Sequence, residues 1–342
     1  MDLQLEIVVF RGAIAESRHR MQCALADPAG HLHAATADPQ AITTFRSSAK
    51  PFQLLPLVER GHAERWGFSD EQLAVMAASH TGSRRHLELV SSILERIGLG
   101  PASLVCGYHD PEDSESRDDL FRGGAARSPL YNNCSGKHAG LLALALTEGW
   151  PVEGYHRPEH PVQQLLRRTV AEVCGVDAAT MPTAVDGCSL VVFAMPLAAM
   201  ARGYAVLARA MAATSGDART RALGRIGRLM GAHAAVVEGS GRVSTAIMEA
   251  TAGRLVAKGG AEGLQLVALP DRGQGLALKC EDGASRAIGP AVVSVLESIG
   301  ALRPAEIEAL AEVARPVLRN AAGLEVGRIE ARLRAGAPAA GA

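Results

Sequence analysis

Residues 3 to 10, LQLEIVVF, open with period-two alternation of apolar and polar positions, the pattern of a half-buried strand. A second strand-like stretch, RMQCALADPAGHLHAAT, folds back on itself around the turn Asp27-Pro28-Ala29-Gly30. Ser69 followed by Gln72 in SDEQLAVMAASH is a capping-box signature and predicts a helix start. Helical periodicity recurs at 86–97, 137–148, 161–173, 189–201, 218–237, 290–299 and 304–314. GRLVAKGG, LQLVALP and GLALKCEDG then read as late strands joined by glycine-containing turns. Strands at both ends with helices between them predict an α+β fold: a sheet lobe built from both termini and a helical lobe from the middle.

Composition narrows the class. The chain has 342 residues, 48% of them hydrophobic, enough for a sizeable core and too many for intrinsic disorder. A net charge of −1 without blocks of like charge predicts neither a nucleic-acid surface nor a polybasic membrane contact. The start MDLQLEIVVFRG reads as a strand rather than a signal peptide, and the longest apolar run, Leu190 to Ala201, contains Pro196 and is too short to cross a bilayer. A soluble, cytoplasmic protein is expected, with its six cysteines as thiols, metal ligands or core residues. One catalytic domain of two lobes, residues 1–333, should end in a disordered tail, 334–342.

Charge identity then becomes informative. Of 35 basic residues only Lys50, Lys137, Lys258 and Lys279 are lysine, the other 31 being arginine. Arginine stays protonated at any working pH, whereas lysine can be driven neutral and act as a base or a ligand. In TTFRSSAK, Ser47 and Lys50 stand three apart ahead of Pro51, a first-turn helix residue. A helix N-terminus favours a developing oxyanion and disfavours an ammonium. An ordinary lysine near pKa ~10.4 is neutral in only ~0.04% of molecules at pH 7, so a base at position 50 requires a large downward shift. Ser47 is the candidate nucleophile and Ser48 its rival. ASHTG offers Ser79 and His80 at a helix end, and AKGGAEG places Lys258 on a strand before glycines that admit close approach. A Ser-x-x-Lys followed by a strand-borne Lys-Gly is the element set of serine β-lactamases, although Lys-Gly-Gly here lacks the hydroxyl.

YNNCSGKHAG and DGCSL hold Cys134 and Cys188 beside turns and polar groups. Thiolates are preferred zinc ligands, and Lys137, His138 or Asp186 could complete a tetrahedral site; on ligand chemistry alone His138 is the natural third donor.

FRSSAKPFQ, ASHTG, NNCSGKHAG, DGCS and LVAKGGAEG, in this order and spacing, resemble the asparaginase II family of the third structural class, the rhizobial type. The resemblance implies a serine-dependent L-asparaginase, a two-lobed fold similar to serine β-lactamases and glutaminases, and a homodimer. It implies Ser47 paired with Lys50, Ser79 paired with Lys258, and Zn²⁺ held by Cys134, Cys188 and Lys137 with Asp186 close by. Three of the four lysines thereby gain roles closed to arginine; Lys279 gains none. Where the family often has Gly-Ala-Pro after the second cysteine, this chain has Ser189-Leu190-Val191. The expected reaction is hydrolysis of L-asparagine to L-aspartate and ammonia through an acyl-enzyme. Asp186 or Glu262 are candidates for the substrate's ammonium and Arg46 for its carboxylate. The competing expectations are a β-lactamase or peptidase-like acyltransferase, and a non-catalytic zinc-binding scaffold.

Overall fold

The computed structural model describes residues 1–123 and 126–335. Eleven strands occur among the described residues: β1 (Leu3–Arg11), β2 (Ile14–Ala26), β3 (Leu32–Ala35), β4 (Ile42–Thr44), β5 (Thr183–Val185), β6 (Val191–Pro196), β7 (Val256–Gly260), β8 (Leu264–Leu269), β9 (Gln274–Cys280), β10 (Val317–Arg319) and β11 (Glu325–Ala335). The main sheet runs β10-β11-β1-β2-β9-β8-β7, with β3 paired to β2. Its strands come from the two ends of the chain, and the residues between supply most of the helices. The expected α+β organisation is therefore the one observed.

All six residues of β8 and six of seven in β9 are buried, so both faces of the sheet are covered there. Helix Leu197–Ala212 packs on β2, β8 and β9, while helix Ile288–Ser298 packs on β1, β8, β9 and β11. In the helical lobe, helix Lys50–Glu59 packs against helices Ser135–Thr147, Pro161–Cys174 and Ala218–Ala232. Helix Asp70–Met76 carries the predicted capping box between Ser69 and Gln72. It lies so close to helix Ser135–Thr147 that a Cβ on Gly136 would sit 2.1 Å from the Val75 carbonyl oxygen.

The single helix expected over 189–201 is instead strand β6 followed by helix Leu197–Ala212. Val191, Val192 and Phe193 are β-formers, and Pro196 can only introduce the helix that follows. Strand β11 reaches Ala335, two residues into the expected tail, because residues 327–335 pair with β1 along its whole length. The rest of that tail, 336–342, lies outside the described residues. Among the described residues, no helix is long and apolar enough to cross a membrane.

Candidate active site

The site forms where β7, an edge of the main sheet, meets the start of the helical lobe. The turn Arg46–Ala49 packs on β7 and β8 and leads directly into helix Lys50–Glu59. Ser48, fully buried, donates its hydroxyl to the Lys258 carbonyl at 3.0 Å, so it anchors the turn to the strand edge. A Cβ on Gly260 would come within 3.1 Å of that hydroxyl, which is what a second glycine after Lys258 permits. Ser48 is thus a structural serine. Ser47, half-buried, lines a cavity of about 300 Å³ together with Ser79, Asn133, Glu238, Gly259, Gly260 and Glu262.

Ser79 lies beyond the end of helix Asp70–Met76, held by its backbone N–H to the Val237 carbonyl at 2.8 Å. Two ammonium nitrogens converge on its hydroxyl: Lys50 Nζ at 2.9 Å and Lys258 Nζ at 2.9 Å. Lys50 also donates to the Ala78 carbonyl and, at 3.5 Å, to the Asn133 carbonyl. Its backbone N–H donates to the Ser47 carbonyl, but among the described residues its amine makes no hydrogen bond to the Ser47 hydroxyl. The expected Ser47–Lys50 pair is therefore replaced by a Lys50–Ser79–Lys258 bridge. Ser47 and Lys50 do share a face of the tight turn, but the buried amine turns away to the carbonyl of Ala78, beyond Met76, which would otherwise lack a donor.

Burial pushes Lys50 down to about 8, with the cations of Lys137 and Lys258 adding to the shift and Cys134 opposing it. At that value about a tenth of molecules carry a neutral amine at pH 7. Lys258, fully buried, is differently placed: besides Ser79 it contacts the carboxylate of Glu238 and the Gly259 carbonyl at 3.0 Å. Glu238 also accepts the Gly259 N–H at 2.7 Å. No sequence motif singles out this glutamate. The nearest signal is its position at the end of the short helix Ala234–Glu238, just before Gly239.

Next to this bridge lies a second buried cluster. Lys137 Nζ is 3.1 Å from Cys188 Sγ, and Cys134, Lys137 and Cys188 are each only 4% exposed. Hydrogen bonding from Cys188, aided by Lys137 and Lys50, holds the Cys134 thiol well below its ordinary pKa against the cost of burial. Burial pulls Lys137 down, but Cys134, Cys188 and Asp186 outweigh it and raise its pKa. Donating to Cys134, together with burial, raises Cys188. One thiolate, a second sulfur and an amine are thus gathered in a dry pocket, a donor set that fits a soft divalent ion. The His138 ring is held at Nδ1 by the Tyr155 hydroxyl at 2.6 Å, and its buried Nε2 has no hydrogen-bond partner among the described residues.

Asp186 and Arg46, expected to meet opposite ends of a substrate, meet each other at 2.9 Å, and neither is among the residues lining the cavity. Asp186 further accepts the Gly187 N–H at 2.8 Å. Glu262 does face the cavity. Arg46, Ser189 and Glu262 all adopt left-handed backbone conformations, at φ 45°, 71° and 65°. Strain of this kind persists where the surroundings enforce it, and three of the four non-glycine cases among the described residues surround this site. The amine of Lys279, half-buried on β9, bonds only to the Cys280 carbonyl among the described residues. A larger hollow of about 410 Å³ over β1, β2 and β11 has no such chemistry in its walls.

Residues 7–331 match the protein family described as L-asparaginase II. Comparison with curated proteins finds no match. Among solved structures, the chain is similar to Mglu at 18% identity over 85% of this chain and 70% of that one, with a TM-score of 0.36. It is similar to a beta-lactamase from Mycobacterium bovis at 16% identity over 86% of this chain and 95% of that one, with a TM-score of 0.39. Likenesses this distant leave the fold to be described by its own strand order.

Proposed function

The chain belongs to the L-asparaginase II family of amidohydrolases, and from that premise we propose that it hydrolyses L-asparagine to L-aspartate and ammonia through a serine acyl-enzyme. The observation that carries the proposal is Ser79 Oγ bridging two buried lysines at the wall of a cavity that Ser47 shares. Ser47 attacks the side-chain carbonyl carbon, and its proton passes by way of Ser79 to the neutral amine of Lys50. The C–N bond then breaks, and the nitrogen leaves as ammonia with a proton returned through Ser79. Water hydrolyses the ester, with Lys50 again taking a proton. Glu262 meets the substrate's ammonium, while Arg46 and Asp186 fix the turns that carry Ser47 and Cys188. The bridge itself favours a second reading, in which Ser79 is the attacking hydroxyl.

Cys134, Cys188 and Lys137 would hold Zn²⁺ in this proposal, as a structural centre that would tie together the loops around the cavity. The unit is a homodimer acting on a small molecule in the cytoplasm.

Ammonia release from L-asparagine, run beside a nitrocefin assay, tests the function. Turnover of nitrocefin alone would point to a β-lactamase, and zinc binding without turnover of either to a scaffold. Quenching with acid during turnover and mapping the aspartyl adduct by mass spectrometry separates the two serines. Ser48→Ala should retain substantial activity, whereas Ser47→Ala and Ser79→Ala should each abolish it.

A further inference from the structure

The cavity carries charges that the serine–lysine chemistry leaves unused. Among the described residues lining it, one side chain is cationic: Arg242. Arg242 stands at the N-terminal cap position of helix Val243–Ala250. Its guanidinium pairs across the cavity with Glu112. Glu112 is placed by its own N–H and that of Asp113, both donated to the Thr81 carbonyl at 2.9 Å, which ties it to the chain just beyond Ser79.

Two arginine–carboxylate pairs therefore stand near the serines, and they differ in how easily a ligand could open them. In the Arg46–Asp186 pair the side chains are 25% and 11% exposed, and Asp186 is also held by Gly187 and faces Lys137. In the Arg242–Glu112 pair they are 49% and 42% exposed. A half-exposed ion pair contributes only about 0–1 kcal/mol, so exchanging its carboxylate for one on a ligand costs little. Arg242 also presents the fork that recognises a carboxylate in bidentate fashion.

We infer that Arg242 is the receptor for the substrate's α-carboxylate, with Glu112 occupying it as a stand-in until substrate arrives. The inference rests on the proposed function and deepens it. It restricts the substrate class to free amino acid amides, since an asparagine inside a peptide has no free carboxylate. The substrate's ammonium remains with Glu262, and Glu238 stays committed to Lys258 and Gly259.

The test combines side-chain and substrate deletion. For L-asparagine, Arg242→Gln should raise KM about 10–100-fold with little change in kcat, the range expected for a charge-assisted bond worth about 1.5–3 kcal/mol. For 3-aminopropanamide, which is asparagine without its α-carboxylate, the same variant should leave kcat/KM unchanged. Arg242→Lys should fall between the two. Glu112→Gln, by removing the competitor, should lower KM for L-asparagine by up to about fivefold. A KM within twofold of the unaltered enzyme in Arg242→Gln, or an equal loss on both substrates, overturns the inference. Calorimetric titration with L-aspartate is run in parallel on the unaltered protein and Arg242→Gln. Should no ammonia form at all, the proposed function has failed, and this titration still decides Arg242. Binding lost only in the variant supports the receptor; equal binding, or none to either protein, overturns it.

Discussion

Lys50 and Lys137 are both buried, and both stand in the first turn of a helix, where the backbone dipole disfavours a cation. Burial lowers both pKa values, yet the outcome is opposite: Lys50 ends near 8 and Lys137 ends raised. Their neighbours make the difference. Lys50 sees carbonyl oxygens and a serine hydroxyl, and the pull of the Cys134 thiolate is met by two other cations and outweighed by burial. Lys137 sees the Cys134 thiolate, Cys188 and Asp186. The first environment prepares an amine to take a proton at neutral pH. The second holds a proton in place until something of higher charge displaces it. In the proposed function one residue type thus takes two roles, a base in one cluster and a displaceable counter-ion in the other.

The largest effect should come from removing the ability of the first cluster to deprotonate. Lys50→Arg keeps the charge but cannot go neutral, and should lower kcat by at least ~10²-fold, the usual contribution of a positioned base. If the proposed mechanism holds, activity needs the neutral amine, so kcat/KM should climb as pH rises towards about 8 and level off above it. A flat profile from pH 6 to 9, or ordinary rates in Lys50→Arg, would show that the lysine acts only through its charge.

A smaller loss of activity, and a large loss of metal, is expected from the second cluster. Cys134→Ser should empty the proposed zinc site, and occupancy should fall as pH drops, since protons compete for both the thiolate and the amine. The sharper comparison sets Lys137→Arg against His138→Ala, with zinc per chain measured by elemental analysis at matched pH. Arginine cannot deprotonate, so Lys137→Arg should lose the metal while His138→Ala keeps it. The reverse result would assign the third bond to the free Nε2 of His138 and leave Lys137 as a counter-ion only.

Much of this contrast is legible in the sequence. The scarcity of lysine marked four positions, and three of them prove to be buried at the two clusters, whereas Lys279, for which no role could be argued, is only half-buried. The turn chemistry at Asp27–Gly30 and the capping box at Ser69 also carried their elements correctly. What stayed hidden depended on contacts distant in the chain. Glu238 is one of 36 acidic residues and reaches Lys258, 20 positions on, only because the fold brings its carboxylate to the Lys258 amine and the Gly259 N–H of β7. The Arg46–Asp186 pair joins residues 140 positions apart. Strand β11 had a period-two signal in Ile329, Ala331 and Leu333, but its Glu and Arg residues are also good helix formers, so composition masked the pattern. At 191–196 the reverse happened: a continuous apolar run fits either a buried strand or a buried helix, and β-branched side chains decided it.

The smallest effect concerns the turn that delivers Cys188 to Lys137. Ser189 holds φ at 71° while its N–H bonds to the Asp186 carbonyl at 2.9 Å, and the Asp186 N–H bonds to the Leu190 carbonyl at 2.8 Å. A left-handed conformation costs an ordinary L-residue about 1–2 kcal/mol, and glycine avoids that cost. Glycine gives back about 0.5–1 kcal/mol through the greater freedom of its unfolded chain. The balance for Ser189→Gly is a gain of about 0.5–1 kcal/mol, or a rise in Tm of roughly 1–3 °C for a chain of this size. Ser189→Ala removes the same hydroxyl but keeps the Cβ, so it should not share the gain. Because the turn's hydrogen bonds come from the backbone, zinc content should be the same in both variants. If Ser189→Gly melts no higher than Ser189→Ala, the backbone at this turn is not strained. The left-handed residue beside Cys188 would then reflect local packing, and would say nothing about how tightly the second cluster is held compared with the first.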